Sequence, residues 1–316
     1  LPSLSQHQSN DFVKLLLLGD SKAGKTGSLV SLVKAGYRLR ILDFDNLLDV
    51  LKFFILEECP DKIDNVEVRT LRDKRVASPL GPIISGTPQA FPQALRMLDR
   101  WKYTEDGVET DLGPPAQWGA ECILVLDSLS RFCDAAFDFR DPLTPTGKSG
   151  EKDTRATYGD AQDAVENVLA MLTSKSFATN VIVIAHGTYT DLPDGTKKIF
   201  PQGVGQKLSP KIPQYFPTYI RYKNIGGNRV IQTVSDAMID LANPRPFAIQ
   251  SSYNLKTGLA EIFAALRQPQ ESQPREPIRE VIDPLTPPEE AAAQQAAAVG
   301  RMIGHPAVRK PQIIRR

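Results

Sequence analysis

The stretch Gly19-Asp20-Ser21-Lys22-Ala23-Gly24-Lys25-Thr26 matches GxxxxGK[ST] at every fixed position. It follows directly on the apolar run VKLLLLG at 13–19 and opens a segment of helical period at about 25–35. In that strand–loop–helix setting the glycines let the backbone curl, so that its N–H groups and the following helix N-terminus face a phosphate. Lys25 then reaches the β and γ phosphates of a nucleotide and the Thr26 hydroxyl serves a Mg2+ ion. The nucleotide-binding residues expected are Gly19, Asp20, Ser21, Lys22, Ala23, Gly24, Lys25, Thr26 and Gly27.

Outward from this loop, short Val/Ile/Leu-rich runs recur as LRILDF at 39–44, VEVRTL at 66–71, CILVLDS at 122–128 and VIVIAH at 181–186. Being apolar on both faces, they predict central strands of a largely parallel sheet covered by helices, here at about 25–35, 46–56, 88–102 and 158–175. Beyond 186, FPTYIRYK, GNRVIQTV and PFAIQ alternate, and Asn224 to Asn228 is a strong turn signal. The expected fold class is α/β: a P-loop core with a mostly parallel central sheet, an antiparallel extension and helices on both faces.

A chain of 316 residues with 41% apolar side chains can build one such domain, assigned here to 12–267 after a lead at 1–11. From 268 to 316 the composition turns to Pro, Gln, Glu, Ala and Arg, which buries too little apolar area to offset chain entropy, so a disordered tail is expected. A net charge of +1 excludes a polycation, so any nucleic-acid affinity must be local. Cys59, Cys122 and Cys133 show no CxxC spacing, which with only three histidines excludes a zinc set or disulfide framework. With no apolar h-region and no membrane-length apolar run, the expectation is a soluble protein of a reducing cytoplasm.

Asp127 ends the run ILVLD and is the second metal-holding position expected beside Thr26. The second strand leads into Leu42-Asp43-Phe44-Asp45-Asn46-Leu47-Leu48-Asp49. This segment resembles the one in RecA recombinases whose acid at the fourth position activates the attacking water. The resemblance implies that Asp45 is the general base, where the family carries Glu, with Asp43 as the alternative. It also implies that Asp127-Ser128 ends the Walker B strand and that His186, closing the next strand, stands where the family has a γ-phosphate sensor. Equally, His186 could be a strand-end histidine satisfied by backbone. In order and spacing the resemblance covers roughly 12–250, and the compact core looks most like phage RecA-core ATPases of single-strand annealing and recombination.

Between Gly195 and Ser235 there is no acidic residue, while seven Lys or Arg alternate with Phe200, Tyr215, Phe216, Tyr219 and Tyr222. A basic stripe with aromatics is a composition that tracks a phosphate backbone, although strand aromatics also fill sheet cores. Lys197, Lys198 and Lys207 fall at or just past the position of the second DNA loop of RecA proteins, and Lys148, Lys152 and Arg155 in the first at about 139–157. Lys207 and Lys211 are candidates for a cation completing a neighbour's ATP site. The expectation is an ATP- and Mg2+-dependent ATPase that forms a homo-oligomer and binds single-stranded DNA. Its rivals are a motor on a protein partner docked by the tail, and a slow nucleotide switch.

Overall fold

A computed structural model describes residues 11–79, 81–146, 152–192 and 194–268. Strands β1 (Lys14–Gly19), β2 (Arg38–Asp43) and β3 (Val66–Thr70) are followed by the small hairpins β4–β5 (Arg75–Val76, Ile83–Ile84) and β6–β7 (Lys102–Glu105, Val108–Asp111). Next come β8 (Gly119–Asp127), β9 (Thr179–Asp191), β10 (Lys197–Pro201), β11 (Thr218–Ile225), β12 (Asn228–Gln232) and β13 (Ser252–Asn254). The helices are α1 (Lys25–Ser28), α2 (Val30–Lys34), α3 (Asp49–Glu58), α4 (Ala90–Asp99), α5 (Leu129–Arg140), α6 (Thr154–Thr173), α7 (Gly205–Leu208) and α8 (Gly258–Arg267).

The main sheet runs β13-β12-β11-β1-β9-β8-β2-β3, parallel from β11 through β3 and antiparallel from β11 to β13, with β10 folded back on β9. Side chains alternate across a strand, so each buried run serves two cores. Leu15 and Leu17 pack with α2, α3 and α8 on one face; Leu16 and Leu18 pack with α4, α5 and α6 on the other. This is the mostly parallel sheet with an antiparallel extension and helices on both faces that the sequence predicts.

Four local expectations are corrected. The helix at 25–35 is interrupted at Leu29, giving α1 and α2. The run PFAIQ forms no strand: Pro244 and Pro246 lack ladder donors, the segment turns, and β13 supplies the third antiparallel strand. The long loop at 139–157 is shortened at both ends, because α5 reaches Arg140 and Asp153 caps α6 by accepting from the Arg155 and Ala156 amides. His186 does not close its strand, since β9 runs on to Asp191. Lys148 and the tail from 269 onward lie outside the described residues, and no helix among those described is long and apolar enough to cross a membrane.

Lys14 is buried at the start of β1, where its Nζ donates to the Phe177 and Thr179 carbonyls (2.7 and 2.8 Å) over the Phe177 ring. With no carboxylate among these contacts, burial lowers its pKa from 10.5 to about 7. Between those values the unfolded chain holds a proton there that the folded chain does not, so stability rises with pH and the penalty is complete below about 7. Urea unfolding of Lys14→Met is therefore expected to show a flatter rise in stability between pH 7 and 9 than the wild type. The full span of the lysine's contribution is on the order of 3–5 kcal/mol. An unchanged slope would remove Lys14 as its source.

Candidate active site

β1, β2 and β8 are parallel, and their C-terminal ends deliver Gly19, Asp43 and Asp127 to one rim of the sheet. The turn after β1 is glycine-dependent. A Cβ on Gly19 would lie 2.7 Å from the Tyr222 carbonyl oxygen. Gly24 has φ +98°, and a Cβ there would meet Leu255 Cδ2 at 2.3 Å. Gly24 starts α1 without a side-chain cap, leaving the first-turn amides for an anion.

Lys25 is buried, and its Nζ donates to the Gly19 and Asp20 carbonyls at 2.7 and 2.9 Å. Burial lowers its pKa to about 8 against the pull of Asp127, Asp20 and Asp45. Thr26 Oγ1 donates to Asp127 Oδ2 at 2.7 Å. Burial pushes Asp127 up to about 6, with the Thr26 hydrogen bond opposing and Asp45 and Asp43 adding repulsion. A hydroxyl on a buried carboxylate that is short of positive charge suits a divalent cation. No cluster of three or more His, Cys, Asp or Glu side chains able to hold a metal occurs among the described residues. Thr26 and Asp127 are the residues of this rim that could hold a divalent cation such as Mg2+, sharing it with other oxygen ligands.

The two acids after β2 have different surroundings. Asp43 is buried; its Oδ1 accepts the Asp45 and Asn46 amides (3.1 and 2.7 Å) and its Oδ2 accepts the Thr70 hydroxyl (3.2 Å). Its carboxylate folds the turn, helped by Asn46 at φ 55°, a left-handed conformation that asparagine tolerates. Burial raises the Asp43 pKa despite those bonds. Asp45 stands at the open side of that turn. Its Oδ1 accepts Ser128 Oγ (3.0 Å) and lies 4.0 Å from Arg131 Nε, and its Oδ2 is 3.2 Å from His186 Nε2. Burial would raise its pKa, but the His186 and Ser128 hydrogen bonds outweigh it and hold the carboxyl below its ordinary value.

His186 is thus in direct contact with Asp45, and its amide donates to Ser130 Oγ at 3.1 Å. Arg131 and Ser130, in the first turn of α5, are site neighbours that the sequence reading misses. Asp127 followed by a serine N-cap and a helix would have been the signal. Arg229 is another: its Cδ lies 3.6 Å from where a Gly24 Cβ would be.

The basic stripe looks different in three dimensions. Lys197 and Lys198 lie on β10 rather than in a loop, paired with Asp191 (3.4 Å) and Asp240. Lys211 pairs with Glu166 (2.7 Å), Lys223 with Asp236 (2.5 Å) and Lys152 with Asp141 (2.7 Å). Phe216, Tyr219 and Tyr222 are buried in the sheet cores. Acids from other segments and the packing of β11 thus take up most of what looked like a nucleic-acid surface. Arg155, Tyr158 and Lys207 are exposed, and α7 packs on the first half of α6 through Gly205, against Tyr158 and Gln162.

A family model described as an AAA domain matches residues 11–241. The chain belongs to this AAA domain family. The match spans the phosphate loop, both acids after β2, Asp127 and His186, so the rim described above is that of an AAA-type P-loop ATPase domain. No curated protein matches the chain. Among solved structures, this AAA domain is similar to the crystal structure of the RadB recombinase, with 12% identity and a TM-score of 0.36, covering 72% of this chain and 83% of that one. It is also similar to the ATP synthase subunit NeqB from Nanoarcheaum equitans, with 10% identity and a TM-score of 0.34, covering 67% of this chain and 47% of that one.

Proposed function

We propose that this AAA domain is a cytoplasmic, Mg2+-dependent ATPase of RecA type that works as a homo-oligomer and couples its nucleotide state to single-stranded DNA. The observation that carries the ATPase reading is the convergence of Lys25, the Thr26–Asp127 pair and Asp45 on one rim of the sheet. When bound, Mg2+ neutralises charge on the β and γ phosphates. The loop amides and Lys25 hold the triphosphate, and Lys25 would exchange its Gly19 and Asp20 carbonyls for phosphate oxygens. Asp45, ionised and half-buried, accepts a hydrogen bond from a water and orients it toward the γ-phosphate. To do so it must loosen one of its contacts with Ser128 or His186, which lets His186 report whether the phosphate is present. The setting in phage recombination or replication rests on the sequence resemblance alone.

The DNA part of the reading is supported by exposed Arg155 and Tyr158 on the first turns of α6 and exposed Lys207 on α7, two cations and an aromatic of the kind that binds single strands. Steady-state ATP hydrolysis with and without a single-stranded oligonucleotide tests both parts. Stimulation is expected, and Arg155→Glu should lower the salt slope of oligonucleotide binding by about 0.7–1 while leaving DNA-free hydrolysis unchanged. Hydrolysis indifferent to DNA would favour a motor on a protein partner docked by the tail. No hydrolysis under either condition would favour the slow switch.

A further inference from the structure

A cavity of about 330 Å3 opens between α5, the first half of α6, the loop leading into α7 and the β4–β5 hairpin. Asp134 and Asp138, one turn apart on α5, and Arg75 from the hairpin line it beside the rings of Phe137 and Tyr158. The two rings pack on each other with centroids 4.6 Å apart. The loop backs them: Gln162 Nε2 donates to the Val204 carbonyl at 3.0 Å, and a Cβ on Gly205 would meet the Tyr158 ring at 3.4 Å. Tyr158 is 41% exposed, so its ring forms the lip of the cavity as well as a wall.

Both acids already hold a guanidinium: Arg75 Nη2 lies 2.6 Å from Asp138 Oδ2, and Arg131 Nη1 lies 3.0 Å from Asp134 Oδ2. A simple cation would have to displace an arginine here, and a simple anion would have to displace a carboxylate. A planar group with donors and acceptors on adjoining edges can serve both without leaving either charge unpaired. Among the nucleobases, guanine answers this set. Its N1–H and N2–H are parallel donors that suit one carboxylate, and its O6 and N7 are the acceptor pair that suits an arginine. Thymine offers a carboxylate a single N–H, and adenine and cytosine offer one amino group. At the low end of small-molecule pockets, roughly 300–1,000 Å3, the cavity has room for one base with an aromatic face to stack on.

Resting on the single-stranded DNA reading above, we infer that this cavity takes one guanine of a bound strand. Asp138 accepts from its N1–H and N2–H, Arg75 donates to O6 and N7, and Tyr158 stacks on the ring. A base turned out of a single strand exposes these edges, whereas a duplex keeps N1–H and N2–H paired. Arg155, exposed and three residues before Tyr158 on the same face of α6, is placed for the phosphate of that strand. The cavity also stands close to the ATP site, because Arg131, paired with Asp134, lies 4.0 Å from Asp45.

Fluorescence anisotropy on the full chain tests it, with an oligo-dT strand, the same strand carrying a few dispersed dG, and free guanosine as competitor. The dG strand is expected to bind at least about fivefold more tightly, the discrimination that one bidentate base contact supplies. Replacing dG by deoxyinosine, which lacks the 2-amino group, should remove most of that preference. Asp138→Asn should bring the two strands to within about twofold of each other while oligo-dT binding stays within about threefold of the wild type. Arg75→Gln, at an exposed position of the hairpin, should do the same and decides the matter if Asp138→Asn loses its circular dichroism spectrum. Equal binding of the two strands by the wild type, or a preference that survives in both folded variants, would overturn the guanine pocket and leave the DNA reading standing. Guanosine bound with neither strand bound would reassign the cavity to a free guanine ligand and overturn the strand as its source. No binding of strand or nucleoside would sink the pocket and the DNA reading together.

Discussion

Lys25→Met is expected to lower kcat for ATP hydrolysis by about 10²–10³-fold, the usual cost of removing one preorganised donor from a developing phosphate charge. Methionine keeps the stem that packs under the loop but cannot replace the Nζ now held by the Gly19 and Asp20 carbonyls. The same variant should be more stable than the wild type near neutrality. Folding lowers the lysine pKa from 10.5 to about 8, a penalty that builds as pH falls from 10.5 and is complete below about 8. Its removal contributes up to about 3 kcal/mol at pH 7, less the two lost hydrogen bonds, and the gain should vanish near pH 10.5. Single-turnover hydrolysis and urea unfolding at two pH values check both halves. Wild-type turnover in Lys25→Met would dismiss the loop as the phosphate site.

The second large effect separates the two acids after β2. Asp45→Asn should lower kcat by about 10²–10⁴-fold with ATP binding retained, since an amide can fill the space but is a far weaker acceptor for a water proton. Asp43→Asn should keep kcat within about threefold, because its remaining carbonyl can still accept the Asp45 and Asn46 amides that shape the turn. Nucleotide titration beside single-turnover rates distinguishes loss of binding from loss of chemistry. The reverse pattern, a dead Asp43→Asn and an active Asp45→Asn, would reassign the base.

Much of the core was legible because its signals are local. An apolar run ending in GxxxxGK[ST] prescribes strand, loop and helix over a few residues, and each fully apolar strand declares that both its faces are buried. The antiparallel extension was legible for the same reason, through Asn224 to Asn228. α5 was not legible although it carries Ser128 as its cap, because it follows β8 with no loop between them and the apolar run ending at Asp127 leads straight into the helix. PFAIQ misled because a short apolar segment with two flanking prolines can turn outward as readily as pair.

The site divides along the same line. By itself the sequence determined the phosphate loop, the rim acid Asp127 and the layered α/β plan, since each is written in contiguous residues whose backbone conformation follows from their own chemistry. Only the tertiary structure decided that Asp43 is engaged by the turn amides and Thr70 while Asp45 meets Ser128, His186 and Arg131. It also decided which cations of the basic stripe are already paired. Those depend on side chains brought together across scores of residues, and charge pairing and burial are properties of that meeting, which linear order does not encode.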